Sequence, residues 1–237
     1  MLLPVIDTTG TPFAYNFCAS HVKKLRFSSL YEIKIVNLHP KTKGVMKSPE
    51  QISKIQAVVL YILQQFKDGV DYIKLFKIMY FAQREYLAAN GLCIVEDTFK
   101  ARPKGPVPAL TYKVVKLAEN GQEPDKEGND LTEFLSSIEV GADQIVHAVK
   151  GPDMDYISDM EREEIDSTIA KYGGMESEDL SKLSHDDAYE KVKGLMEDDP
   201  QKDIMTTIDI ARAGGATKPM VDHIREVQLI KAAFNAD

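Results

Sequence analysis

The stretch Lys74-Leu75-Phe76-Lys77-Ile78-Met79-Tyr80-Phe81-Ala82-Gln83-Arg84-Glu85-Tyr86-Leu87-Ala88-Ala89-Asn90-Gly91 decides the fold. Leu75, Ile78, Met79, Ala82 and Tyr86 recur at helical spacing, Asp71 stands where an N-cap belongs, and Asn90-Gly91 closes the run. Phe76, Tyr80, Phe81 and Leu87 lie off that stripe, so the helix is apolar around most of its circumference. Such a helix belongs in the middle of a domain. The aromatics Phe76, Tyr80, Phe81 and Tyr86 accordingly read as core rather than as a cofactor box.

Helical patterning continues on both sides. Upstream, Ser48 and Gln51 form a capping box with Pro49 at the first helical position, and Ile52, Ile55, Val59, Ile62 and Phe66 follow until Asp68-Gly69. Downstream, a helix is expected from Ala109 to Glu119. A second capping box, Ser158 with Glu161, opens a helix to Tyr172 that Gly173-Gly174 stops. Ser177 is expected to cap a short helix through Leu180 and Leu183, and Ser184 with Asp187 another to about Met196. Residues 203–213 and 219–233 complete the helices, with Gly214-Gly215 between them as a helix end rather than an anion nest. Residues 122–130 read as loop, and 131–150 as helix.

Between these helices, Cys93-Ile94-Val95 and Thr98-Phe99-Lys100-Ala101 read as extended pieces forming a hairpin around Glu96-Asp97. In Arg102-Pro103-Lys104-Gly105-Pro106-Val107-Pro108 three prolines are expected to forbid regular structure until Ala109. A glycine flanked by prolines makes a rigid turn that costs little entropy to immobilise, so Lys104 to Val107 suit recognition. They equally suit a mere change of chain direction.

Charge divides the 237 residues into two parts. Residues 1–47 hold seven cations against two acids, a net +5, and show strand-like alternation in Tyr31-Glu32-Ile33-Lys34-Ile35 and a short apolar run at Leu2 to Ile6. With an overall charge of −8, residues 48–237 carry −13. The expected architecture is mainly α (α+β): a basic β-containing arm at 1–47 and a compact helical domain with minor strands at 48–237. The acidic body repels nucleic acid, which leaves only the arm, through Lys23, Lys24 and Arg26, to bind a phosphate backbone. No apolar run is long enough to span a membrane, and the start lacks a cationic n-region and a full secretory apolar segment, so a cytoplasmic protein is expected. Cys18 and Cys93 read as two free thiols.

No catalytic or metal-binding constellation emerges. The histidines His21, His39, His147, His185 and His223 form no pair at ligand spacing, and no phosphate-cradling or nucleophile-elbow motif is present, so neither metal nor cofactor is expected. Ser184-His185-Asp186-Asp187 holds the residue types of a hydrolase triad, but consecutive helical residues diverge by about 100°. A capped helix start with acids facing the macrodipole is the better reading. Residues 151–199 hold 16 acids against 5 cations, read as helix starts and solvated faces, or as a surface attracting a basic protein, rather than as paired catalytic carboxylates.

Lys74 to Gln83 resembles the K-L-x-K-L-L-Y-Y-A-Q helix of the Panacea, or SocA-like antitoxin, domain. The spacing continues through Tyr86-Leu87, Asn90-Gly91 and Phe99-Lys100-Ala101. Gly105-Pro106-Val107 with Tyr112 is similar to the family's G-P-V-x-x-x-x-Y, and Ile165, Tyr172-Gly173, Leu180-Ser181, Leu183 and Ser184-His185 to its Y-G … L-S-x-L-T-H segment. The resemblance covers residues 50–210. Lys104 replaces the usual aromatic before the glycine, Ser184 replaces Thr, and the usual Trp is absent, with Tyr189 standing near its place. The resemblance implies a non-enzymatic antitoxin of a bacterial or phage type II toxin–antitoxin pair that binds a co-encoded toxin directly. Toxins of the family include alarmone-synthetase-like ones, and some relatives act as adaptors delivering the toxin to a protease. The arm supplies an alternative, operator-DNA binding for autoregulation. The residues expected to meet a partner are Lys104, Gly105, Pro106, Val107, Tyr112 and, in the arm, Lys23, Lys24 and Arg26.

Overall fold

The computed structural model describes residues 47–124 and 130–234. Lys23, Lys24, Arg26, Cys18, the expected arm strands and residues 125–129 lie outside the described residues. Helix α1, Pro49–Gln64, opens with the expected capping box, in which Ser48 Oγ accepts from Gln51 N and Gln51 accepts from Ser48 N. Strand β1, Val70–Asp71, leads into α2, Tyr72–Asn90, capped by Asp71 and closed by Gly91 in the left-handed conformation (φ 70°).

Helix α2 divides the core. Leu75, Phe76, Ile78, Met79, Ala82 and Tyr86 join one apolar cluster with α1, with α3 (Ala109–Glu119) and with the N-terminal part of α5 (Asp159–Tyr172). Tyr80, Phe81 and Leu87 join the other, with α6 (Ser177–Leu183), α7 (Asp187–Asp198), α8 (Thr207–Ala213) and α9 (Lys218–Phe234). Each large apolar side chain buried this way contributes about 1.5–3 kcal/mol, which is why α2 is apolar on two faces. The Ser158–Glu161 capping box opens α5 as expected, and Glu161 also meets Lys54 of α1 at 2.5 Å.

Several expectations are corrected. Residues 131–150 are not one helix: a single turn, α4 (Thr132–Ser136), gives way to β4 (Ile138–Val140) and β5 (Ile145–Ala148), which pair antiparallel and continue to β1 in the order β1-β5-β4. The β-branched Ile138, Val140, Ile145 and Val146 favour strand, and Asp143 Oδ1 caps the turn by accepting from Ile145 N. The hairpin does not fold around Glu96-Asp97 either. It pairs β2 (Phe99–Arg102) with β3 (Gly105–Pro108) across Pro103-Lys104. The prolines therefore do not exclude regular structure. Pro106 faces Ala101 and Pro108 faces Phe99 in the register, while Ala101 N donates to Asp203 O and Phe99 O accepts from Met205 N on the opposite edge of β2. Phe99 and Ala101 thus direct their backbone groups away from β3. Both prolines stand at non-hydrogen-bonded positions, where no ring nitrogen is asked to donate.

A further correction concerns α7. Its cap is Asp186, accepting from Tyr189 N, whereas Ser184 ends α6 and is fully buried. Similarly, Glu176 rather than Ser177 stands at the N-cap of α6, and α8 begins only at Thr207 behind the Thr206 cap. Gly214 ends α8 as expected. Among the described residues no helix is long and apolar enough to cross a membrane.

Candidate functional site

The β2–β3 hairpin turns at Pro103-Lys104, with Pro103 pre-setting its backbone angle and Gly105 at φ 94°. Space as well as conformation demands glycine at 105. A Cβ there would overlap Ser184 Oγ and come within 3.0 Å of Lys77 Nζ.

Three alternate carbonyls of this turn are each held by a side chain from a different helix. Tyr189 of α7 donates its hydroxyl to Arg102 O at 3.0 Å. Ser181 of α6 donates to Lys104 O at 2.9 Å. Lys77 of α2 donates to Pro106 O at 2.7 Å. Hairpin tips ordinarily satisfy such carbonyls with water and remain mobile. Here the tip backbone is clamped to the body from three directions.

The clamp has its own support. Lys77 is only 1% exposed, and burial pushes its ammonium down to about 7. Ser184 Oγ, beside Gly105, donates to Ser181 O at 2.7 Å. His185 stacks flat on Tyr189, with ring centres 4.2 Å apart and planes 8° apart. Burial, aided by Lys77, holds the His185 pKa down. Asp186 accepts from Tyr80 Oη at 2.8 Å and from Arg84 at 2.9 Å while capping α7. Burial and the adjacent Asp186 carboxylate push the Tyr80 phenol up. Burial opposes the charge of Arg84, but its bonds to Asp186 and Glu85 outweigh this and raise its pKa.

The same loop is anchored from below. Gln83 accepts from Ile94 N and Val95 N and donates to Val95 O. Asp97 accepts from Leu110 N and Thr111 N, supplying the N-terminal cap of α3 that Pro108 cannot. Burial raises the Asp97 pKa against these bonds, which favour the carboxylate.

Residues 75–190 match the family model described as "Antitoxin SocA-like, Panacea domain". Over these residues the chain is similar to a Panacea domain. No curated protein and no solved structure gives a significant match. The clamp residues Lys77, Ser181 and Tyr189, the hairpin and the Asp186 hub all lie within the matched region. The central helix, the Gly105-Pro106-Val107 segment and the Leu180-to-His185 segment, read separately along the chain, thus meet at one place in space.

Of the residues expected to meet a partner, Lys104 is exposed at the tip, whereas Gly105, Pro106 and Val107 are buried in β3. Tyr112 is 40% exposed on α3, its ring 6.0 Å from that of Phe76, in a separate cluster with Tyr72 and Lys116. Ser184, His185 and Asp186 do not form a triad: Ser184 Oγ donates to Ser181 O, Asp186 accepts from Tyr80 and Arg84, and His185 stacks on Tyr189 with its buried Nε2 unpartnered among the described residues. The 151–199 acids do not converge among the described residues. Glu161 caps α5 and Asp186 caps α7, whereas Asp159 and Glu178 point to solvent. Sequence reading missed Lys77, Ser181 and Tyr189 as clamp residues. The available signal was a lysine between Phe76 and Ile78 inside the buried helix, a position where a cation needs a partner.

Proposed function

We propose that this Panacea-domain chain is a non-catalytic antitoxin that neutralises a co-encoded protein toxin by direct contact in the cytoplasm. Lys104 at the hairpin tip and Tyr112 on α3 meet the toxin, and buried Gly105, Pro106 and Val107 set their frame. The observation that carries the reading is the three-point clamp on the carbonyls of Arg102, Lys104 and Pro106. A body that immobilises an exposed turn before binding lowers the ordering cost of an interface there. Such a preformed tip needs no reactive side chain to block a partner sterically. The family match to an antitoxin-like domain supports the same conclusion.

Co-expression with the product of the adjacent gene tests it. That product is expected to arrest growth alone, to be harmless beside this chain, and to co-purify with it. A neighbour that is harmless alone, or still toxic in the presence of this chain, overturns the proposal.

A further inference from the structure

Taking the antitoxin reading as its basis, we infer that the partner presents an acidic protein surface to the hairpin tip and the start of α3. Between Thr98 and Lys116 the sequence carries five cations and no acid, in a body whose net charge is −13. The hairpin orders these charges. On β2, Phe99 and Ala101 are buried, so Lys100 and Arg102 alternate outward. Both lean on one carboxylate, Asp203, at 3.2 and 3.0 Å. Lys104 stands beyond them at the exposed tip, and among the described residues no ion pair reaches it. On α3, Lys116 is engaged by Glu119. Asp203 and Glu119 thus meet Lys100, Arg102 and Lys116, while Lys104 keeps its charge free for a partner.

The backbone clamp gives the island its significance. Because the carbonyls of Arg102 and Lys104 are held, the roots of those two cations are fixed before any partner arrives. Fixed charges of one sign attract carboxylates during diffusional encounter and pay little ordering cost on contact. Tyr112 supplies an aromatic anchor of the kind that dominates protein interfaces. Duplex DNA carries one negative charge per about 1.7 Å, so the −13 body repels it more strongly than it repels a compact protein surface bearing a few carboxylates.

The test measures association of full-length protein with the purified product of the adjacent gene, at salt from about 0.05 to about 0.5 M. The wild type, K104E, R102Q/K104E and K104R are compared, with a DNA duplex as a second probe. Expected are association at least about tenfold faster at the low-salt end, loss of most of that gain in K104E and R102Q/K104E, and its retention in K104R. Among the described residues the exposed Lys104 side chain makes no hydrogen bond or ion pair, so K104E is expected to fold as the wild type does. Equal rates at both salts with no effect of K104E overturn the acidic-partner inference and leave the antitoxin reading standing. Absence of any binding to the neighbour overturns both. Salt-dependent DNA binding that K104E abolishes overturns the choice of a protein partner.

Discussion

Replacing Lys77 by Met removes the buried amine while keeping the length and apolar character of the side chain. In the folded protein burial lowers the Lys77 pKa from 10.5 to about 7. A depressed lysine is deprotonated in the folded state while the unfolded chain still holds its proton. The folding penalty is therefore full below about pH 7 and is released as the pH rises towards 10.5. Each pH unit inside that window is worth about 1.4 kcal/mol. Allowing for partial titration near pH 7, the wild type should gain about 2 kcal/mol relative to K77M between pH 7 and pH 9. A constant offset accompanies this, because Met leaves Pro106 O without its donor at a cost of about 1–3 kcal/mol. Urea unfolding of both proteins at several pH values reads the difference directly. Burial also raises Cys93 to about 11 and Tyr61 to about 12, but both groups are present in each protein and cancel. Parallel stability curves for wild type and K77M from pH 7 to pH 9 would show that Lys77 keeps its proton in the fold, and would refute this reasoning.

Other perturbations address the same assembly. Gly105→Ala combines a left-handed backbone angle with overlap at Ser184 Oγ, so a loss of roughly 2 to 4 kcal/mol is expected by urea unfolding; an unchanged midpoint would mean the hairpin relaxes freely. Tyr189→Phe removes only the hydroxyl on Arg102 O and should cost about 1 kcal/mol, with faster hydrogen exchange confined to the amides of residues 102–107. Exchange that stays at the wild-type rate there would deny the clamp. Asp186→Ala uncaps α7 and leaves buried Arg84 without its main partner, so a loss of about 3–5 kcal/mol is expected from thermal and urea melts; a loss well under 1 kcal/mol would show that Glu85 alone satisfies Arg84.

Much of the helical framework was legible because its signals are local. The Ser48 and Ser158 capping boxes, the Asp71 cap and the Gly91 stop each rest on residues within one helical turn, and the structure repeats them. The apolar circumference of α2 likewise announced a central helix, and two clusters pack on it. Local reading failed where a long-range partner decides. Pro106 and Pro108 look like breakers until β2 turns its other edge to residues 203–205, which leaves the prolines at positions without a donor. Ser184 looks like a cap until α6 ends on it and Asp186 takes the bond to Tyr189 N.

By itself, then, the sequence determined most of the helices, the buried centre and the turn at Lys104, since capping and periodicity operate over three or four residues. It left that turn equally suited to recognition and to a change of direction. Tertiary structure decided what surrounds it: Lys77, Ser181 and Tyr189, more than a hundred residues apart at their extremes, each reach one carbonyl of the same hairpin. Hydrogen bonds of that kind carry no sequence spacing, because any helix that brings a donor within about 3 Å can make them.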